Sequence, residues 1–154
     1  MTTFEVLFAV PMAPHPKGRP RVRLQGKRPI AYTPKATMDW MAGFAEYVEA
    51  LAPVPRLDEP VRVDILAILQ RPKDLMRKMD PGGLIAAPRR PDADNIRKAT
   101  LDAMHAFWVD DARVVAGDTV KTYSEKGGSA RMVVRVCTLY EGYVAHRAKW
   151  MFDT

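Results

Sequence analysis

The sequence predicts an α+β domain: two main helices packed on a mixed, largely antiparallel β-sheet. Three observations lead there. The chain has 154 residues, enough for one sizeable core and too few for two, so a single domain over 1–154 is expected. Short apolar runs rich in β-branched and aromatic residues, at 4–10 and 61–69, have the length and composition of strands. Two longer stretches, 35–52 and 95–107, repeat their apolar residues at helical spacing.

Each element can be justified in order. Phe4 to Val10 reads as a buried strand, ended by Pro11, Pro14 and Pro16, and its start suits a strand better than a secretory signal. A segment broken by proline and glycine follows at 13–30, with Ile30-Ala31-Tyr32 as a short edge strand. Thr33-Pro34 has the pattern of an N-cap followed by proline at the first helical position. Trp40, Phe44, Tyr47, Val48 and Leu51 form the apolar face of the helix that follows, and core packing explains them. Pro53, Pro55 and Pro60 make a linker. Val61 to Leu69 becomes continuously apolar, as a central strand does. Residues 70–90 read as a long loop with Pro72, Pro81, Gly82, Gly83 and Pro88. The second helix runs from Asn95 to Phe107, with Ile96, Ala99, Ala103 and Phe107 on one side. A turn at Val109-Asp110-Asp111 leads to a strand over 114–123, and Gly127-Gly128 is expected to close a hairpin onto a strand over 131–140. The tail from Glu141 is read as a short helix.

Composition excludes several classes. One cysteine, Cys137, rules out a disulfide framework and a cysteine-based zinc site, and it is expected to be an inert core thiol. His15, His105 and His146 have no metal-ligand spacing. No apolar run of roughly 18 residues is present, so no membrane span is expected. Charge is more informative. The formal net charge is +6. Residues 1–35 carry Lys17, Arg19, Arg21, Arg23, Lys27, Arg28 and Lys35 against Glu5 alone, which accounts for the whole excess. Clustered Lys and Arg neutralise phosphates and release counterions, so nucleic acid is the leading partner. The breaks at Pro16, Gly18, Pro20, Gly26 and Pro29 exclude an amphipathic membrane helix.

The sharpest chemical signal is Pro91-Asp92-Ala93-Asp94-Asn95-Ile96-Arg97-Lys98, within an acidic region at 91–111. Asp92 and Asp94 are two apart in a segment expected to be extended, so their side chains can share one side. Lys98 lies one helical turn beyond Asp94, and Asp102 another turn on. Paired carboxylates repel unless a cation lies between them, and oxygen donors without Cys or His favour Mg²⁺ or Mn²⁺. Asp110-Asp111 offers a third acid past the helix end. The helix spans about 20 Å, so Asp111 meets Asp94 only if the next segment runs back beside it. Each residue also has an ordinary explanation: a cap, a surface ion pair, a polar turn. Together with the basic arm they describe metal-assisted chemistry on a phosphodiester.

These blocks, in this order and spacing, resemble the RusA family of Holliday-junction resolvases. The likeness runs through Pro16-Lys17-Gly18-Arg19-Pro20-Arg21, Tyr32-Thr33-Pro34, the PDADN block with Lys98 and Asp102, Asp110-Asp111 with Val114, and Lys121-Thr122-Tyr123. The resemblance implies a homodimeric, Mg²⁺-dependent nuclease that cuts four-way DNA junctions symmetrically. Asp92, Asp94 and Asp111 match the family's metal ligands, expected to bind one or two ions from one subunit, and Lys98 matches its essential lysine. Asn95, Asp102 and Asp110 are expected to support them from behind. Lys17, Arg19, Arg21, Lys27 and Arg28, joined by Arg89, Arg90 and Lys121, are expected to hold DNA. Such a protein would act in the cytoplasm of a bacterial or phage-infected cell. Two alternatives stay open: a broader nuclease for flaps and other branched DNA, and a DNA-binding protein without catalysis.

Overall fold

A computed structural model describes residues 4–51 and 56–140, together with 142, 143, 149 and 151. The elements run β1 (Glu5–Val10), β2 (Arg21–Gln25), β3 (Arg28–Tyr32), α1 (Lys35–Leu51), β4 (Val61–Leu69), β5 (Ile85–Ala86), α2 (Ala93–Ala103), β6 (Val114–Ala116), β7 (Thr119–Tyr123) and β8 (Arg131–Thr138). The main sheet has the order β1-β8-β4-β7-β5, and β6 also pairs with β4. β1, β8 and β4 are antiparallel neighbours, whereas β4 and β7 run parallel, with α2 in the connection between them. The α+β class with a mixed sheet is therefore the one the sequence predicts.

Alternation decides which face meets the helices. Phe8 and Val10 of β1, Val61, Val63, Ile65 and Ala67 of β4, and Met132, Val134 and Val136 of β8 all point one way and are buried. They join Phe44 and Val48 of α1 and Ile96 and Ala103 of α2 in one cluster with Phe107 and Trp108. Burying such side chains contributes about 1.5–3 kcal/mol each before entropy is counted, and the cluster holds both helices on one face of the sheet. In α1, Tyr47 and Leu51 are more exposed than the predicted apolar face implies, because the sheet lies under Phe44 and Val48. Trp40 stacks between His15 and Phe44, and its indole N–H donates to the Ala13 carbonyl at 2.9 Å, which fixes the entry to the basic arm.

Several expectations change. β7 and β8 do not form a hairpin: both lie against β4, one on each side. The most apolar strand takes the centre, and the 124–130 connection passes across its end. The expected strand over 114–123 is two, because Gly117 at φ +140° breaks it. A Cβ there would stand 1.8 Å from the Val63 carbonyl oxygen, so only glycine allows β6 and β7 to follow β4 this closely. The 13–30 segment is not simply a loop. Arg21–Gln25 and Arg28–Tyr32 pair as a β-ribbon around Gly26-Lys27, with Gly26 at φ +63° in the position a II′ turn reserves for glycine. α2 begins two residues early, so Asp94 lies in its first turn and is not in extended backbone. It ends at Ala103, and His105–Phe107 continues as a 3₁₀ turn. Part of the 70–90 loop is ordered as a 3₁₀ turn, Lys73–Leu75, and as β5. The Pro53-Pro55 linker and most of the expected C-terminal helix lie outside the described residues.

Candidate active site

The PDADN block is placed by the start of α2. Asp92 is the N-cap, with extended backbone at φ −74° and ψ 142°, and Asp94 sits in the first turn. Both carboxylates are favoured there by the positive end of the helix dipole. The Asp92 side chain makes no capping hydrogen bond, so its oxygens are not committed to the helix. The preceding Arg90–Pro91 peptide is cis. Lys121 steadies this approach from β7: its ammonium donates to the carbonyls of Arg89 at 2.6 Å and Pro91 at 2.7 Å. Lys98 reaches back one turn to Asp94, 3.5 Å from its carboxylate, as the spacing predicts.

These groups open into one cleft of about 850 Å³, lined by Pro16, Lys17, Gly18 and Arg19 of the arm and by Arg90 through Asp92, Asp94, Asn95 and Lys98. Four cations thus surround two acids. The arm is fastened to α2 at its base. The Lys17 N–H donates to the Asn95 carbonyl at 2.9 Å, and the Lys17 ammonium pairs with Asp102. Lys17 and Asp102 therefore hold arm and helix together, and Asp102 is engaged one turn behind Lys98. Arg97 faces inward from the same helix. Its guanidinium donates to the Val63 carbonyl at 2.9 Å, and burial pulls its pKa below the ordinary arginine value.

Other candidate residues lie elsewhere. Asp111 does not line the cleft; its carboxylate accepts the Trp108 indole N–H at 2.9 Å. Asp110 caps the next 3₁₀ turn by accepting the Ala112 N–H at 2.7 Å. Among the described residues, no three acidic, histidine or cysteine side chains of this chain gather closely enough to hold a metal ion. Asp92 and Asp94 offer the hard oxygen donors a divalent cation needs, with the Asn95 amide next in sequence and no softer donor lining the cleft. The donor chemistry fits such an ion, with two carboxylates of one chain in the cleft. Arg89 forms a two-point pair with Asp74, at 3.2 and 2.5 Å. Lys27 and Arg28 are exposed at the ribbon's turn, and Arg21 at its base.

One residue absent from the predicted DNA-contact set is Arg23. It lies on the same ribbon face as Arg21, Arg28, Ile30 and Tyr32, with its guanidinium 5.6 Å from the centre of the Tyr32 ring. The opposite ribbon face is Val22, Leu24, Pro29 and Ala31. The alternation Arg21-Val22-Arg23-Leu24 before Gly26 is the sequence signal for it. Cys137 is half-buried on β8 between β1 and β4, on the face away from the helices and so not in the core as expected, and burial raises its thiol above the ordinary value.

A cleft of this kind marks a class: an α+β domain that sets four cations around two hard oxygen ligands. Comparison with known proteins narrows it. Residues 11–136 match the family described as Endodeoxyribonuclease RusA, and the chain belongs to that family. It is also similar to the crossover junction endodeoxyribonucleases of Enterobacteria phage 82, Escherichia coli (strain K12) and Shigella sonnei (strain Ss046). Each is 44% identical over 48 residues, which is 30% of this chain and 40% of the relative. The alignment thus spans less than half the length of these curated relatives. No helix among the described residues is long and apolar enough to cross a membrane.

Proposed function

We propose that this chain is a divalent-cation-dependent endodeoxyribonuclease that resolves four-way DNA junctions by paired, symmetric nicks as a homodimer. The observation that carries the reading is the cleft: Asp92, Asp94 and Lys98 in one opening with Lys17, Arg19 and Arg90. The relatives' names supply the substrate class. Asp92 and Asp94 would hold Mg²⁺, or Mn²⁺ in its place. An ion there supplies charge neutralisation at the phosphate and eases loss of a proton from an attacking water. The protein's own groups bring the strand to it. Arm and cleft cations seat the backbone without reading bases. The exposed Lys98 ammonium, shared with Asp94 in the free protein, turns to the charge that develops on the phosphate oxygens. Asp111 joins through the dimer: because it does not line the cleft of its own chain, the third carboxylate is Asp111 of the partner subunit. Two such sites related by a two-fold axis suit a junction of the same symmetry.

The test uses a labelled four-way junction, with three-way, flap and linear DNA beside it. Paired nicks on the four-way junction are expected with Mg²⁺, and none with EDTA. Equal cleavage of flaps would favour the broader nuclease, and binding without cleavage the non-catalytic alternative. Asp92→Asn or Asp94→Asn is expected to abolish nicking while leaving junction binding intact or tighter. Lys98→Ala should lower turnover by about a hundredfold with little change in binding.

A further inference from the structure

Residues 71–84 are built as carefully as the cleft, yet junction cleavage as described makes no use of them. Arg71 is only 4% exposed, and its guanidinium donates to three carbonyls of the segment that follows it: Leu75 at 2.8 Å, Pro81 at 2.7 Å and Gly83 at 3.2 Å. From the other side the Lys126 ammonium donates to the carbonyls of Arg77 and Asp80, both at 2.6 Å, and the Lys126 N–H to Gly82. Asp80 closes the tip by accepting the Arg77 N–H at 2.7 Å. Two cations are thus spent on shaping one loop, a use of charge-assisted bonds that fixes its geometry. The product is a held turn, Arg77-Lys78-Met79-Asp80, on which Met79 is 92% exposed. Held on a fixed turn, the unbranched Met79 side chain is presented to a partner without the cost of ordering the loop.

The flanking chemistry names the partner. Arg77 and Lys78 are exposed beside Met79. The nearby acids are occupied, Asp80 in the turn and Asp74 with Arg89. An apolar tip with two cations just before it in the turn is complementary to a nucleobase next to its phosphates, and methionine is one of the side chains that wedge into base steps. The Asp74–Arg89 pair ties the loop to the stretch of chain that enters the cleft at Arg90 and Asp92, so tip and acids are set at one spacing. We infer that the 71–84 loop is a DNA wedge: Met79 enters between bases at a branch point, where stacking is already interrupted, while Arg77 and Lys78 hold the neighbouring phosphates. This rests on the branched-DNA reading and adds the element that tells a branch from continuous duplex.

The experiment keeps the two readings apart by working in EDTA, where no cleavage is needed. A four-way junction carrying 2-aminopurine at its centre reports unstacking by a rise in emission, and fluorescence anisotropy reports binding to junction and to linear duplex. The wild-type chain is expected to raise the emission. Met79→Ala should remove that rise and weaken junction binding by roughly tenfold, with duplex binding changed less than about twofold. Met79→Leu should restore both. An unchanged emission and an unchanged junction-to-duplex ratio in Met79→Ala would overturn the wedge, whatever the cleavage assay shows. So would a shift in sedimentation for Met79→Ala, which would assign the tip to contact with a second copy.

Discussion

Asp64 shows how single side chains outside the cleft secure the sheet that carries it. Arg62 bonds to it at 2.7 Å and bridges to Asp118 at 2.7 Å, and the Asp118 N–H donates to Asp64 at 2.8 Å. Burial alone would raise the Asp64 carboxyl, but the Arg62 and backbone bonds outweigh it and hold the group below its usual value. A carboxyl held low adds stability above its unfolded-state pKa of about 4, and that stability is lost as pH falls through the folded value. Asp64→Asn is therefore expected to cost about 1 kcal/mol at pH 7. The gap to the wild-type chain should close below about pH 4, as urea unfolding at the two pH values would show. Local chemistry of this sort is partly legible in the sequence. Lys98 meets Asp94 because their spacing is one helical turn, and that is written in the residue order. Lys17 meets Asp102 across 85 positions, and only the folded chain brings them together.

At the scale of elements, β4 and the buried side of α2 are readable because burial imposes a period. The placing of β8 is not, since a sequence gives a strand's pattern but not its neighbour. The ribbon's alternation is written in the sequence too, but prolines on both sides mask it as a loop. Its basic face makes a distinct prediction. Arg21→Gln with Arg23→Gln should flatten the salt dependence of DNA binding, by about 0.9 in logarithmic slope for each phosphate that is no longer neutralised. Gly117 makes another. Its positive φ and the nearness of the Val63 carbonyl mean that Gly117→Ala should destabilise the fold by about 3 kcal/mol or more, measurable by thermal or urea unfolding.

For the whole molecule, the position of Asp111 outside its own cleft sets the most demanding test. Asp94→Asn and Asp111→Asn homodimers should each be inactive. A mixed dimer of the two should recover one working site and nick junctions once, because the intact Asp94 of one chain then meets the intact Asp111 of the other. Complete silence of the mixture would place all three acids in a single subunit. The three acids are legible as residue types, but the place of Asp111 outside the cleft is not, because it depends on where the segment after α2 travels. The seam between Lys17 and α2 carries one more consequence. Arm and helix share one handle: the cations at Lys17 and Arg19 are gauged from the same helix that bears Asp94, so the distance between them and that carboxylate is a ruler engraved in the fold.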